Sequence, residues 1–290
     1  MRAQVSLTPT ESKRLIAKAT ARTEEVSRAA ADGTIVVHPS SSTYFIVEEL
    51  TGQRPHTAPW VCGIVVEKGA CVEMGTMTPS NPRHREGHVR TVGDFPHSWV
   101  IEGGKLSVGE DLNSLVERLG PGDVYVKGVN ALDAEGNVGV LIGNKFEGGT
   151  VGMVMGAARR KGFGVIFPVG LEKLIPMLVK EVAREARKQE YEYSMGLSCG
   201  LLPVPGTAVT ELTAIEILSG AQAFPIASGG LGGAEGSVML VLNGEKEQVR
   251  QAIEHVETCK GASLPQVRVP DCYSCTATIC DFPVEDKHWV

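Results

Sequence analysis

The side chains with the most chemical capacity fall in a few short stretches of the chain. Toward its C-terminal end, DCYSCTATIC places Cys272, Cys275 and Cys280 in a C-x2-C-x4-C spacing. The first pair has the spacing of a thiolate knuckle for zinc or an iron–sulfur cluster, and Cys199, Cys259 or His288 could supply a fourth ligand. The same thiols also read as a redox or disulfide pair, or as buried and idle side chains. A carboxylate, Glu147, precedes Gly148 and Gly149 in NKFEGGTVG, so its backbone can be held close to a ligand. There it could act as nucleophile or base, or sit at a helix start where the dipole favours an acid. Lys127, Asn130 and Asn144 are polar groups flanking the same region. Ser40, Ser41, Ser42 and Thr43 form a hydroxyl run that could hold an anion or cap a helix. Arg83, His84 and Arg85 lie in a proline-punctuated polar stretch that could clamp an anion or remain solvated surface.

Those residues need a scaffold, and the apolar pattern supplies one. TIVV (34–37) reads as a buried strand ahead of the hydroxyl run, with a helix predicted over 44–50. VYV (124–126), VGVLI (138–142) and GVIFPV (164–169) read as further strands, with a helix over 150–161 between the last two. Strand, glycine-rich loop and helix in succession aim backbone N–H groups at a helix start, a setting for a polar or anionic ligand. A long helix is expected over 7–31, capped by Thr8 or Thr10, and another over 171–191 with Pro176 near its start or kinking it. Asp133, in DAEGN, suits a hairpin turn, and Lys173 is a further candidate for a polar contact. From 201 to 269 the predicted order strand-helix-strand-strand-helix-strand is that of a ferredoxin-like sandwich, with the loop SGGLGGAEG (228–236) between its central strands.

Two stretches resemble the superfold shared by ribose-5-phosphate isomerase, glucosamine-6-phosphate deaminase, the CoA transferases and the lactate-utilisation proteins. GTIVVHPSSSTYFIVEEL (33–50) looks like the family's strand, Gly/Ser/Thr loop and helix. KGVNALDAEGNV (127–138) looks like its Gly-Ala-Asp hairpin, NKFEGGTVG (144–152) like its next glycine loop, and VIFPVGLEKLIP (165–176) like the late strand and helix of the lactate-utilisation branch. The resemblance implies a Rossmann-like, mostly parallel sheet with helices on both faces and ligands at the carboxyl ends of its strands. It also implies an acyl-CoA-attacking glutamate at Glu147, hence a CoA thioester as a candidate cofactor. Where the isomerases carry catalytic carboxylates, this chain has Lys127 and Asn130, and Pro39 offers no N–H to a phosphate. Aldose–ketose isomerisation is therefore disfavoured.

The 290 residues are enough for one large or two medium domains; the expected division is 1–195 (α/β), 196–270 (ferredoxin-like α+β) and 271–290 (cysteine tail). With 28 basic and 34 acidic residues the net charge is −6, which disfavours nucleic acid and anionic membrane as general partners. The N-terminal stretch has no signal-peptide pattern, no run is apolar enough to span a bilayer, and seven cysteines in that setting point to reduced thiols in a cytoplasm. The chain is thus expected to be an α/β protein that binds a small molecule and assembles as a homo-oligomer. Its expected chemistry is transferase- or lyase-like, on a carboxylated or phosphorylated metabolite. The alternative is a non-catalytic metabolite sensor or assembly protein with a cysteine-based metal site.

Overall fold

The computed structural model describes residues 1–55, 62–72, 98–143, 148–186, 191–266, 269 and 271–273. Along the chain come β1 (Arg2–Leu7), α1 (Pro9–Thr20), α2 (Glu24–Asp32), β2 (Thr34–Val37), α3 (Tyr44–Thr51), β3 (Cys62–Val66), β4 (Gly69–Val72), β5 (Ser98–Glu102) and β6 (Lys105–Glu110). Then follow α4 (Leu112–Arg118), β7 (Val124–Val126), β8 (Ala131–Leu132), β9 (Val138–Ile142), α5 (Gly149–Lys161), β10 (Gly164–Pro168), a 3-10 turn at Leu171–Lys173 and α6 (Val179–Ala186). The remainder is β11 (Gly200–Val204), β12 (Thr207–Val209), α7 (Glu211–Ser219), β13 (Gln222–Gly229), β14 (Ser237–Asn243) and α8 (Lys246–Glu257).

Among the described residues six strands make the central sheet, in the order β12-β10-β7-β2-β5-β6. The pairings β12–β10, β10–β7 and β7–β2 are parallel, whereas β2–β5 and β5–β6 are antiparallel, so the sheet is mixed. Both its faces are covered, which is why its strands are continuous apolar runs rather than alternating ones. Ile35, Val37, Val124, Val126, Trp99 and Ile101 face α1, α2 and α3 in one core. Val36, Tyr125 and Val100 face the other way, onto Leu112, Leu115 and Val116 of α4 and Val154 and Ala157 of α5.

A smaller antiparallel sheet, β1-β14-β13, lies with α7 and α8 against the first core through Leu7, Val238, Leu240 and Leu242. Its composition differs from the expected ferredoxin-like order. The strand expected to open that unit, β11, pairs with β9, and β1 from the N-terminal end of the chain takes the edge beside β14. Strand β12 pairs with β10 in the central sheet. Backbone hydrogen bonds therefore cross the 195/196 boundary drawn from sequence, in both directions. β1 and β12 are short and have strongly apolar partners; pairing across long sequence separations, invisible to local pattern, is what makes them strands.

The two long predicted helices are each broken. The first splits into α1 and α2 around Ala21–Thr23. Thr8 does cap α1, and Glu11 closes the box by accepting from Thr8 N at 2.9 Å. The second becomes the 3-10 turn and α6, because Pro176 lacks the N–H and backbone freedom a continuous helix needs. Among the described residues no helix is long and apolar enough to cross a membrane.

Glu11 also ties the start of α1 to the turn after α8. Its carboxylate accepts from Lys260 Nζ at 3.0 Å and from Gly261 N at 3.2 Å, just beyond α8. Burial opposes its ionisation, but these donors and Thr8 N outweigh it and hold the carboxyl below its usual range. Glu11→Ala should lower the urea midpoint of unfolding by an amount equivalent to roughly 2 kcal/mol. An unchanged midpoint would show that the box and the Lys260 contact contribute nothing net.

Candidate functional site

Four parallel or co-aligned strand ends open at one edge of the central sheet. The hydroxyl run 40–43 follows β2, the segment 127–130 follows β7, Val169–Lys173 follows β10, and Thr210 with Glu211 follows β12. The chain leaves β2 toward α3 on one face and leaves β7 toward α5 on the other. That reversal between neighbouring parallel strands is where an open α/β sheet parts its loops and forms a crevice.

At this strand end the loops approach closely through their backbones. His38 N donates to Val126 O at 2.8 Å and Lys127 N to Ile166 O at 3.0 Å, so the loops start level with one another. Gly128 then passes against the hydroxyl run: a Cβ there would lie 3.0 Å from Ser40 Oγ and 3.3 Å from Ser42 Oγ. Any side chain at 128 would push those hydroxyls away. Thr43 is fully buried and its hydroxyl does not cap α3; it turns back to donate to His38 O at 2.7 Å, and it lies 3.0 Å from Ser40 Oγ. Thr43 and Ser40 thus fix the shape of the turn; buried Ser42 lies with Ser40 against Gly128, and Ser41 is half-buried.

Lys173 completes the cluster. Its Nζ donates to Val129 O at 2.7 Å and to Ser42 Oγ at 3.1 Å. Burial depresses its pKa to about 8; the Glu172 carboxylate raises it and the Lys13 cation lowers it further. Glu172 itself pairs with Lys13 at 2.8 Å, and its other oxygen, Oε2, is buried without a hydrogen-bond partner among the described residues. The turn carrying Lys173 is pinned by Glu211, the first residue of α7 and 1% exposed, whose two oxygens accept from Leu171 N at 3.1 and 2.9 Å. Burial pushes the Glu211 carboxyl up to about 7, helped by Glu172 and opposed by bonds from Ser12 and Leu171. Beside this crevice, on the α4–α5 face, buried Tyr125 meets His38 Nδ1 at 3.1 Å, and burial holds its hydroxyl above the ordinary range, so it stays protonated.

The sequence-predicted residues divide accordingly. Ser40, Ser41, Ser42, Thr43, Lys127 and Asn130 share one strand-end region. Asn130 is engaged in the hairpin: its Oδ1 accepts from Leu141 N at 3.0 Å and its own N donates to Gly139 O at 2.8 Å. Asp133 is a turn residue, as its DAEGN setting suggested. It accepts from Glu135 N, Asn137 N, Asn137 Nδ2 and Val179 N, which together outweigh burial and keep its carboxyl below the usual range. Gly148 and Gly149 begin α5, both with positive φ (69° and 57°), a conformation glycine adopts without strain. Glu147 and Asn144, the Arg83, His84 and Arg85 stretch, and Cys275, Cys280 and His288 lie outside the described residues. Cys272 is half-buried, Cys259 is buried with its thiol raised to about 11 by that burial, and the described residues hold no group of three or more metal-ligating side chains.

Sequence reasoning missed Lys13, Glu172 and Glu211 as members of the site, and gave Lys173 no partner. Lys13 and Glu211 are nearly two hundred positions apart, and no local spacing links them.

Glu211 makes a pH prediction. Its folded pKa, about 7, lies above the ordinary 4.5. Between those values the folded protein keeps a proton that the unfolded chain has released, so stability falls as pH rises through that window, and the full cost is present above about 7. In Glu211→Gln that slope should vanish, narrowing the stability difference between pH 5 and 8 by up to roughly 3 kcal/mol. Parallel stability–pH curves for the two proteins would sink the assignment. Compared with protein-family models, curated proteins and solved structures, the chain has no match.

Proposed function

We propose that the crevice between β2 and β7 binds a small carboxylated or phosphorylated metabolite and that the chain acts on it in a transferase- or lyase-like reaction. The observation that carries this reading is the packing of Gly128 onto Ser40 and Ser42 with Lys173 Nζ bonded to Ser42. A hydroxyl-rich turn, a glycine backbone and a cation meet where parallel strands part, which is the chemistry an anionic ligand needs. In this reading Ser42 and Lys173 hold the anionic group. Lys127 and Ser41 flank it, and Glu147, directly before the N-cap of α5, is the candidate nucleophile or base. Arg83, His84 and Arg85 are candidates to close over the ligand. The Rossmann-like arrangement and the kinship with the isomerase and CoA-transferase superfold belong to the same proposal, supported by the order of strand, hydroxyl turn and helix.

A second reading, a metabolite-binding assembly protein, is favoured by one surface. Strand β13 is the outer strand of the small sheet among the described residues, and it exposes Phe224 and Ile226, 48% and 52% accessible, with Leu231 beyond it at 89%. An uncharged, apolar edge strand is a template for association with another chain.

The binding reading is tested by titrating the full chain calorimetrically with inorganic phosphate, pyruvate and acetyl-CoA. Lys173→Met and Ser42→Ala should weaken the ligand that binds, about tenfold or more for the lysine, the loss expected for a charge-assisted bond. Equal affinity in wild type and both variants would move the site elsewhere.

A further inference from the structure

We propose that Lys173 is a carbonyl-reactive amine: its Nζ condenses with the aldehyde or keto carbon of the metabolite held in the β2–β7 crevice, and Ser42 relays the proton. This rests on the crevice being the ligand site and goes further, naming the substrate class as a carbonyl compound bearing a carboxylate or phosphate.

The partners of Lys173 Nζ are a carbonyl oxygen and a hydroxyl, both uncharged. Among the described residues no carboxylate lies within ion-pair distance of it, although Glu172 is the adjacent residue. That carboxylate is drawn away to Lys13, whose own charge then faces Lys173 from α1. Glu211, the other acid of the cluster, is spent on the Leu171 amide and holds its proton up to about pH 7. A lysine kept only for stability is usually paired with an acid; this one is half-buried, feels the Lys13 cation and has neutral hydrogen-bond partners, the arrangement that favours the free amine.

Leu171, Glu172 and Lys173 sit on a single 3-10 turn locked at both neighbours, Leu171 by Glu211 and Glu172 by Lys13. The amine is therefore held against the Gly128–Ser42 contact rather than free to swing into solvent.

The step balances as follows. The nitrogen lone pair forms the C–N bond while the carbonyl π pair moves onto oxygen. One proton passes from nitrogen to that oxygen through Ser42 Oγ, 3.1 Å from Nζ. A second proton, from solvent, lets the hydroxyl leave as water, and the product is a protonated imine on Lys173. Such a cation draws electrons from the adjacent C–C or C–H bond, which is the requirement of a lyase.

The test incubates the full-length protein with pyruvate, glyoxylate or dihydroxyacetone phosphate in the presence of sodium cyanoborohydride, followed by intact mass and peptide mapping. The expected result is one reduced adduct, on Lys173, with at least one of the three probes. Its rate should rise with pH to a midpoint near 8 and fall several-fold in Ser42→Ala. Lys173→Arg removes the nucleophilic amine and should lose the adduct, with its far-UV spectrum and melting temperature showing that the variant is folded. No adduct on Lys173 with any probe, or an adduct confined to other lysines, overturns the inference. If a thermal shift persists without the adduct, the crevice stands and only the amine chemistry is rejected. If neither appears with any probe, both readings fall.

Discussion

The register of β2 against β7 is the constraint from which the rest of the crevice follows. Ile35, Val36 and Val37 pair with Val124, Tyr125 and Val126 in parallel, and the ladder continues one step through the His38 amide. Because the two strands stop at the same level, the turn after one must touch the turn after the other. Gly128 permits that contact, and Ser40 and Ser42 are the groups it meets. A slip of one residue would turn Tyr125 from the α4–α5 core into the α1–α3 core, where Val124 and Val126 now pack. The alternation of small and large side chains on this strand therefore sets the depth at which the hydroxyls meet the glycine.

Charge is distributed unevenly over that frame. Lys13 and Glu172 neutralise each other at 2.8 Å, Glu211 is satisfied by a backbone amide, and Lys173 is left to a carbonyl and a hydroxyl. Placing ionisable groups in a dry setting without mutual pairing is costly, and proteins accept the cost mainly where chemistry or binding uses it. Glu211 and Lys173 are shifted toward neutrality from opposite directions, one up to about 7 and the other down to about 8. An acid and an amine with such adjacent values can both change protonation near neutral pH.

The small sheet is part of this construction rather than an appendage. β1 pairs along its whole length with β14, from Arg2↔Asn243 to Leu7↔Val238, and Thr8 and Pro9 then start α1, the helix that delivers Lys13 to Glu172. Gly236, in the loop before β14, lies against Pro9 and Glu172. The pairing of β1 with β14 and the loop before β14 thus help set the position of the turn that carries Lys173.

Local pattern alone determined most of the regular elements. TIVV, VYV and VGVLI are apolar runs bounded by turn residues, and they are strands; Thr8 with Glu11 is a capping box and starts a helix; DAEGN is a turn and Asp133 is consumed by it. These are short-range consequences of side-chain shape, hydrogen bonding to near neighbours and burial. The meeting of Ser42, Gly128 and Lys173, the assignment of β1 and β12 to sheets distant in sequence, and the shifted acidity of Glu211 arose only on folding. Each depends on groups from separate parts of the chain losing water together, and no spacing along the sequence encodes that desolvation.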